Sequence, residues 1–344
     1  RASSHESFVP QIILKIMLCA RSRRRVPRCR ARHDVAMTGR FAPSPTGELH
    51  LGNLRTAVVA WLSARADGRP FLVRMEDLDR VQARPEHEAA QLRDMSALGL
   101  DWDGDVVRQS ERFHLYDAAI DQLAAAGSVY ECFCSRREIR NDIEAASSAP
   151  HGPPGSYPGT CRDLSISARD ERRVSGRPPA LRLRTDHGIY NFVDRLVGPQ
   201  SGGVDDFVLR RNDGVPAYNL AVVIDDGLQG ITDVVRGDDL LPSTPRHVML
   251  QQMLGIETPS YLHIPLVFGA NGERLAKSHG ATTLGELRDA GISSAAVMSW
   301  IGSSLKLAAP GEAVGVGDLV NRFDPAALPK DIAVAPDFVL RPEA

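Results

Sequence analysis

No apolar run in the 344 residues is long enough to cross a bilayer. The best candidate, Ile12 to Leu18, is short and broken by Lys15, whereas a membrane helix needs about 18 uninterrupted apolar residues. No membrane partner is expected. Cysteine is scarce as well, with five in the chain, too few and too unevenly spread to staple a fold of this size. A disulfide framework is therefore excluded, and a reducing, cytoplasmic setting is expected. There is no internal repeat and no excess of positive charge. Residues 37–344 hold 32 basic against 41 acidic side chains, so any RNA contact must be a local basic surface that reads shape and single-stranded ends.

Residues 1–36 differ from the rest, with eight Arg and one Lys against only Glu6 and Asp34. Such a start has the composition of a transit peptide. The chain begins at Arg1, however, and Met37 stands just ahead of the first strong motif, so translated upstream sequence is the preferred reading. This leader is expected to lie outside the fold.

From Arg40 onward, strand-like and helix-like segments alternate, which predicts an α/β core with a parallel sheet. A short strand leads through a Pro- and Gly-rich turn into a helix from about Gly52 to Ala66. Phe71 to Met75 reads as a strand and Glu86 to Leu98 as a helix. Between Tyr130 and Ala180 the composition shifts to Cys, Pro, Gly, Ser and charge, which marks an inserted small domain. The α/β pattern then resumes with a strand at Asp206 to Arg210, a helix at Ala217 to Asp225, a strand at Ile231 to Val235 and a helix at Thr244 to Leu254. Helical segments at Leu284 to Asp289 and Ser294 to Ile301 follow. The expected division is 37–128 for the first half of the core, 129–188 for the insert, 189–260 for the second half and 261–344 for a helical tail.

The most informative segment is Arg40-Phe41-Ala42-Pro43-Ser44-Pro45-Thr46-Gly47-Glu48-Leu49-His50-Leu51-Gly52-Asn53. Its prolines fix the approach of the backbone to a helix start, and Gly52 leaves room for a flat base or ribose against the main chain. The helix N-terminus offers unpaired N–H groups and a positive dipole to phosphates. His50 adds a donor for a charge-rich transition state. Far downstream, Gly272-Glu273-Arg274-Leu275-Ala276-Lys277-Ser278-His279-Gly280 is a Gly-bounded loop with a single lysine.

Together these two segments resemble the signatures of class I aminoacyl-tRNA synthetases of the glutamyl and glutaminyl branch. His50-Leu51-Gly52-Asn53 stands at the His-Ile-Gly-His element, with Asn53 in place of the second His. The downstream loop is similar to the mobile Lys-Met-Ser-Lys-Ser loop, in which Lys277 matches the lysine that contacts ATP phosphates. The resemblance implies a Rossmann-like core, ATP with Mg²⁺ as substrate, and an ATP site at Pro43, Gly47, His50, Gly52, Asn53 and Lys277. His50 and Lys277 are the implied catalytic residues. Glutamate carries two carboxylates and one ammonium, so its pocket should supply forked cations and one carboxylate. Arg40, Ser44, Glu76, Tyr218 and Arg236 stand at the matching positions, although each arginine could instead serve an Asp; Asp238 or Asp239 could pair with Arg236. Val222 departs from the branch, where Asn is common, and a lost polar contact there would weaken substrate binding by about 1 kcal/mol.

Cys132, Cys134 and Cys161, with Tyr157, offer three thiols and a phenol. Chemically they can form a tetrahedral structural zinc site or remain buried thiols, and His151 could compete as a ligand. The same arrangement is similar to that of glutamyl-queuosine tRNA(Asp) synthetases, which implies one structural Zn²⁺ on Cys132, Cys134, Tyr157 and Cys161. Only 67 residues follow Lys277, so no anticodon-binding domain is expected. By this resemblance a monomer would activate L-glutamate as glutamyl-adenylate and pass it to the queuosine base in the anticodon loop of tRNA(Asp). Two other readings stay open: charging of the 3′ end of tRNA(Glu), and an inactive paralogue that binds tRNA or a synthetase.

Overall fold

The computed structural model describes residues 38–145, 156–174, 176–269, 272, 275 and 283–336. The elements run in chain order as β1 (Thr38–Phe41), α1 (Leu51–Arg65), β2 (Phe71–Met75), α2 (Pro85–Ala97), β3 (Val107–Arg108), α3 (Phe113–Ala125) and β4 (Val129–Cys132). There follow α4 (Arg136–Ala145), α5 (Ile166–Val174), β5 (Ala180–Leu183), β6 (Ile189–Asp194), β7 (Gly198–Gly203), β8 (Val208–Arg210), α6 (Tyr218–Leu228), β9 (Ile231–Gly237) and α7 (Thr244–Leu254). The last part contains β10 (Ser260–Ile264), β11 (Val267–Phe268), α8 (Leu284–Asp289), α9 (Ser294–Ser304), α10 (Val316–Val320) and β12 (Ala333–Val334).

Seven strands form the main sheet in the order β3-β2-β1-β9-β10-β6-β7, parallel throughout except for the β6–β7 hairpin. The expected parallel α/β core is present. From β1 the chain builds outward in one direction through β2 and β3. It later returns on the other side with β9 and β10. The order therefore reverses between β1 and β9, the place where open α/β sheets form a crevice beyond their strand ends.

Helix α1 is buried almost all round, which is the pattern of a helix covered on more than one side. One side lies on β1 and β9; a Cβ on Gly39 would come within 3.0 Å of the Ala64 methyl, so this close approach depends on the glycine. The other side meets the tail, since Leu54 and Val58 share one apolar cluster with Leu287, Val297, Ile301 and Leu319. The tail helices are thus part of the main core.

The insert is built differently. Strands β4, β5 and β8 make a three-stranded antiparallel sheet, so a strand beyond the expected boundary at 188 completes it. The strand read at Asp206 to Arg210 begins at Val208 instead. Asp206 is occupied as an acceptor for Tyr130 and Thr185 and as an ion partner of Arg162. The insert's apolar cluster is small: Tyr130, Cys132, Phe133, Tyr157 and Cys161 form its buried part. Strand β7 had no strand signal in sequence, because Gly-Pro-Gln-Ser-Gly-Gly is poor in strand-forming residues, whereas β6, Ile-Tyr-Asn-Phe-Val-Asp, carried one that was missed.

Candidate active site and metal site

The crevice at the β1/β9 switch point holds a cavity of about 430 Å³. Every described residue expected to bind glutamate or ATP lines it: Arg40, Pro43, Ser44, Gly47, His50, Gly52, Asn53, Glu76, Tyr218 and Arg236. Four elements bring them together, one of them α6, whose first residue is Tyr218. The loop after β1 passes over the sheet and is fixed by Glu76 N–H donating to Pro43 O at 2.9 Å and Arg84 N–H to Pro45 O at 3.0 Å. The end of β2 supplies Glu76, and the end of β9 supplies Arg236.

His50 is the N-cap of α1. Its Nδ1 accepts from the backbone N–H of Gly52 at 3.0 Å and of Asn53 at 3.3 Å. A ring nitrogen that accepts is unprotonated, so the imidazole proton of a neutral His50 sits on Nε2. The histidine thereby satisfies helix-start donors with one nitrogen and keeps a donor on the other. Gly52 makes this possible: a Cβ there would lie 2.9 Å from the His50 ring.

Lys277 lies outside the described residues, as do Ala276 and Ser278. Its neighbours on either side are nonetheless fixed beside the site. Leu275 N–H donates to Val267 O at 3.2 Å, and Thr283 bridges to His50.

Below the cavity floor lies a buried charge cluster that the sequence did not reveal. Arg40 Nε donates to Asp226 Oδ1 at 3.2 Å and its NH1 to Val235 O. Arg74 pairs with Asp226 at 2.8 Å and with Glu76 at 3.3 Å. Burial pushes the Asp226 carboxyl up, but Arg40 and Arg74 outweigh it and hold it below the ordinary carboxylate range. Glu76 ends above its ordinary value, because its burial exceeds the help of Arg74 and Arg40. Gln91 was missed too; its amide donates to Ser44 O at 3.0 Å and Gly47 O at 2.6 Å, clamping the signature loop from α2.

Arg236 does not make the ion pair with Asp238 or Asp239 that its sequence neighbourhood allowed. Its guanidinium meets His263, His247, Thr244 and Tyr218. Burial, and then Arg236 itself, hold His247 well below the ordinary histidine range; burial also lowers His263 against the opposing pull of Asp194. Val222 packs in the apolar cluster of α6 with Leu220 and Val223 and does not line the cavity.

Residues 36–309 match the family of tRNA synthetases class I (E and Q), catalytic domain. The chain is 56% identical over 299 residues to a glutamyl-Q tRNA(Asp) synthetase of Nocardia farcinica, covering 86% of this chain and 92% of that one. It is 43% identical to the protein of that name from Nitratidesulfovibrio vulgaris, covering 88% and 96%. The chain belongs to the glutamyl-Q tRNA(Asp) synthetase family. It is a ligase of the aminoacyl-tRNA synthetase type, a class that uses ATP. The fold is also similar to a glutamate tRNA ligase of Elizabethkingia meningosepticum crystallised with its amino acid, with a TM-score of 0.74 and 28% identity over 87% of this chain and 67% of that one.

In this family member the thiols of Cys132, Cys134 and Cys161 come together within 4.8 Å of one another. The Tyr157 hydroxyl joins them, 3.4 Å from Cys132 Sγ and 3.7 Å from Cys134 Sγ. Zn–S bonds of about 2.3 Å in a tetrahedron set sulfurs roughly 4 Å apart, so the cluster has room for one ion. Around them Cys161 N–H donates to the Tyr157 oxygen at 2.8 Å, and the Arg182 guanidinium lies 3.7 Å over the tyrosine ring. Hydrogen bonds from Cys134 and Cys161 draw Cys132 below the usual thiol range, while hydrogen bonds with Cys132 and Cys161 push Cys134 up and burial pushes Tyr157 up, so one anion is held by neutral neighbours. Three sulfurs and one oxygen are thus a fitting set for a structural zinc. His151, the competing ligand, lies outside the described residues. Among the described residues no helix is long and apolar enough to cross a membrane.

Proposed function

We propose that this enzyme activates L-glutamate with ATP as glutamyl-adenylate and transfers the glutamyl group to the queuosine base in the anticodon loop of tRNA(Asp). The observation that carries the first step is one cavity in which a buried cation with no anionic partner among the described residues, a buried carboxylate and a helix start converge. Arg236, Arg40, Ser44 and Tyr218 receive the carboxylates of glutamate and Glu76 its ammonium. Pro43, Gly47, Gly52 and Asn53 receive ATP along the start of α1, with His50 and Lys277 at the phosphates.

In this reading an oxygen of the glutamate α-carboxylate attacks the α-phosphorus of ATP, and the bond to pyrophosphate breaks. Mg²⁺ bound with ATP offsets charge on the phosphates. A hydroxyl of the modified base then attacks the carbonyl of the mixed anhydride, and AMP leaves. The enzyme contributes orientation and charge stabilisation and forms no covalent intermediate. Zn²⁺ on Cys132, Cys134, Tyr157 and Cys161 stiffens an insert that has little core of its own.

The choice of acceptor is supported by relatives named for tRNA(Asp), matched over more than nine tenths of their length. Labelled glutamate should pass to tRNA(Asp) carrying queuosine and not to tRNA(Asp) lacking it, and the label should survive removal of the 3′-terminal adenosine. Labelling of tRNA(Glu) at its 3′ end would instead make this a glutamyl-tRNA synthetase. Absence of glutamate-dependent ATP–pyrophosphate exchange would make it an inactive paralogue.

A further inference from the structure

Arg236 is only 5% exposed, yet among the described residues no carboxylate pairs with it. Its buried neighbours Arg40 and Arg74 both have such partners. Neutral groups hold it instead. Arg236 Nε donates to His263 Nε2 at 2.9 Å, NH1 to His247 Nδ1 at 3.2 Å, and NH2 to Thr244 Oγ1 at 2.8 Å. Its two longest contacts, Tyr218 Oη at 3.3 Å and Leu240 O at 3.4 Å, are with residues that line the cavity. A carboxylate arriving from the cavity would replace those two.

An arginine can only donate, so each histidine nitrogen facing it must be an unprotonated acceptor. That requirement fixes both tautomers. His263 carries its proton on Nδ1 and donates to Asp194 Oδ2 at 2.7 Å; Asp194 is itself held by the backbone N–H groups of His263, Leu196 and Val197. His247 carries its proton on Nε2 and donates to Asn219 Oδ1 at 2.9 Å. Two relays therefore end on one guanidinium, one backed by a carboxylate at a distance and the other by an amide. A neutral imidazole satisfies a guanidinium N–H without cancelling its charge. A carboxylate in the same place would form an ion pair, as Asp226 does with Arg40, and would compete with an acidic substrate.

We propose that the pairs Asp194–His263 and Asn219–His247 are positioning residues that aim Arg236 into the cavity and keep its charge available for a substrate carboxylate. This rests on the reading of Arg236 as a glutamate-binding residue. None of the four touches substrate; they act through Arg236.

The test compares substitutions of equal shape and different charge in the full-length protein: His247→Gln against His247→Glu, and His263→Gln against His263→Glu. KM for glutamate and KM for ATP are measured separately by ATP–pyrophosphate exchange. A glutamine can accept from Arg236 through its carbonyl and donate onward through its amide, so the Gln variants should keep KM for glutamate within about threefold of wild type. His247→Glu places an anion against Arg236 and should raise KM for glutamate by about tenfold or more, with KM for ATP within about twofold; His263→Glu, whose new carboxyl shares a proton with Asp194, should raise it severalfold with the same split. Asp194→Asn, which loosens His263, should raise KM for glutamate severalfold with the same split. Equal glutamate KM values for the Gln and Glu variants, or parallel changes in both KM values, would overturn the proposal. A wild type without glutamate-dependent exchange would overturn the functional reading and this inference with it, and it would be seen before any variant is made.

Discussion

At Glu76 burial and charge pull in opposite directions, and the balance decides how the site responds to pH. Burial raises its pKa more than Arg74 and Arg40 lower it, so the carboxylate is protonated at a higher pH than an exposed glutamate. A bound ammonium needs the ionised form. KM for glutamate should therefore rise as pH is lowered toward the raised pKa, and Glu76→Gln should raise it by about 100-fold near pH 8, by progressively less as pH falls, and so flatten the profile. Exchange kinetics between pH 8 and pH 5.5 check both points, and an unchanged KM in Glu76→Gln would remove this residue from the ammonium site. Gly52 gives a steric counterpart. In Gly52→Ala the new methyl would meet the His50 ring at 2.9 Å, displacing the cap and the imidazole together. Exchange should fall by about 10- to 100-fold with the fold retained by circular dichroism.

Among the elements, α1 and the insert show two ways of holding a site. Helix α1 is clamped between the sheet and the tail, and its start is capped by His50. The insert has a small apolar cluster, and α5 buries none of its residues. A metal clip would contribute much of its local order. Purified protein should accordingly carry about one zinc per chain, and Cys132→Ser should lose it. That variant should also lower the Tm and speed proteolytic cleavage of the insert while the core remains protected. A wild type as metal-free as the variant would sink the zinc assignment.

For the whole molecule, the junction between signature loop, α2 and tail holds a half-buried carboxyl, Asp94. Burial, and then the nearby charge of Glu48, raise its pKa from 3.8 to about 6; its Oδ2 is buried without a hydrogen-bond partner among the described residues. A carboxyl whose folded pKa is raised contributes stability below its unfolded value, and that contribution is lost as pH rises through about 6. Asp94→Asn should therefore stabilise the protein at pH 7.5 by up to about 1 kcal/mol, because solvent screens this half-exposed group, and have little effect below pH 4, as read from urea unfolding. The packing of the tail on α1 is equally testable. Leu319, fully buried in the main cluster, should cost about 2–5 kcal/mol on replacement by Ala, in one cooperative transition.

Much of this enzyme was legible in sequence because its chemistry is written in contiguous segments. Strand, proline turn and helix start from Arg40 to Asn53 specify an open helix N-terminus locally, and the apolar run Phe71–Met75 and the helix read at Thr244–Leu254 stand where those elements are found. What sequence alone could not decide is how residues far apart would pair. Arg236 might have met Asp238 or Asp239, two and three residues away. The strand direction and the parallel β9–β10 register instead set it opposite His263, while α7 brings His247 and β6 brings Asp194. Asp226, Arg74 and Gln91 had no motif to betray them, because a side chain gains its electrostatic role only when other parts of the chain bury it and choose its partners. Sequence determined the chemical groups and their local geometry; the tertiary structure decided which charges pair with one another and left Arg236 without a carboxylate partner among the described residues.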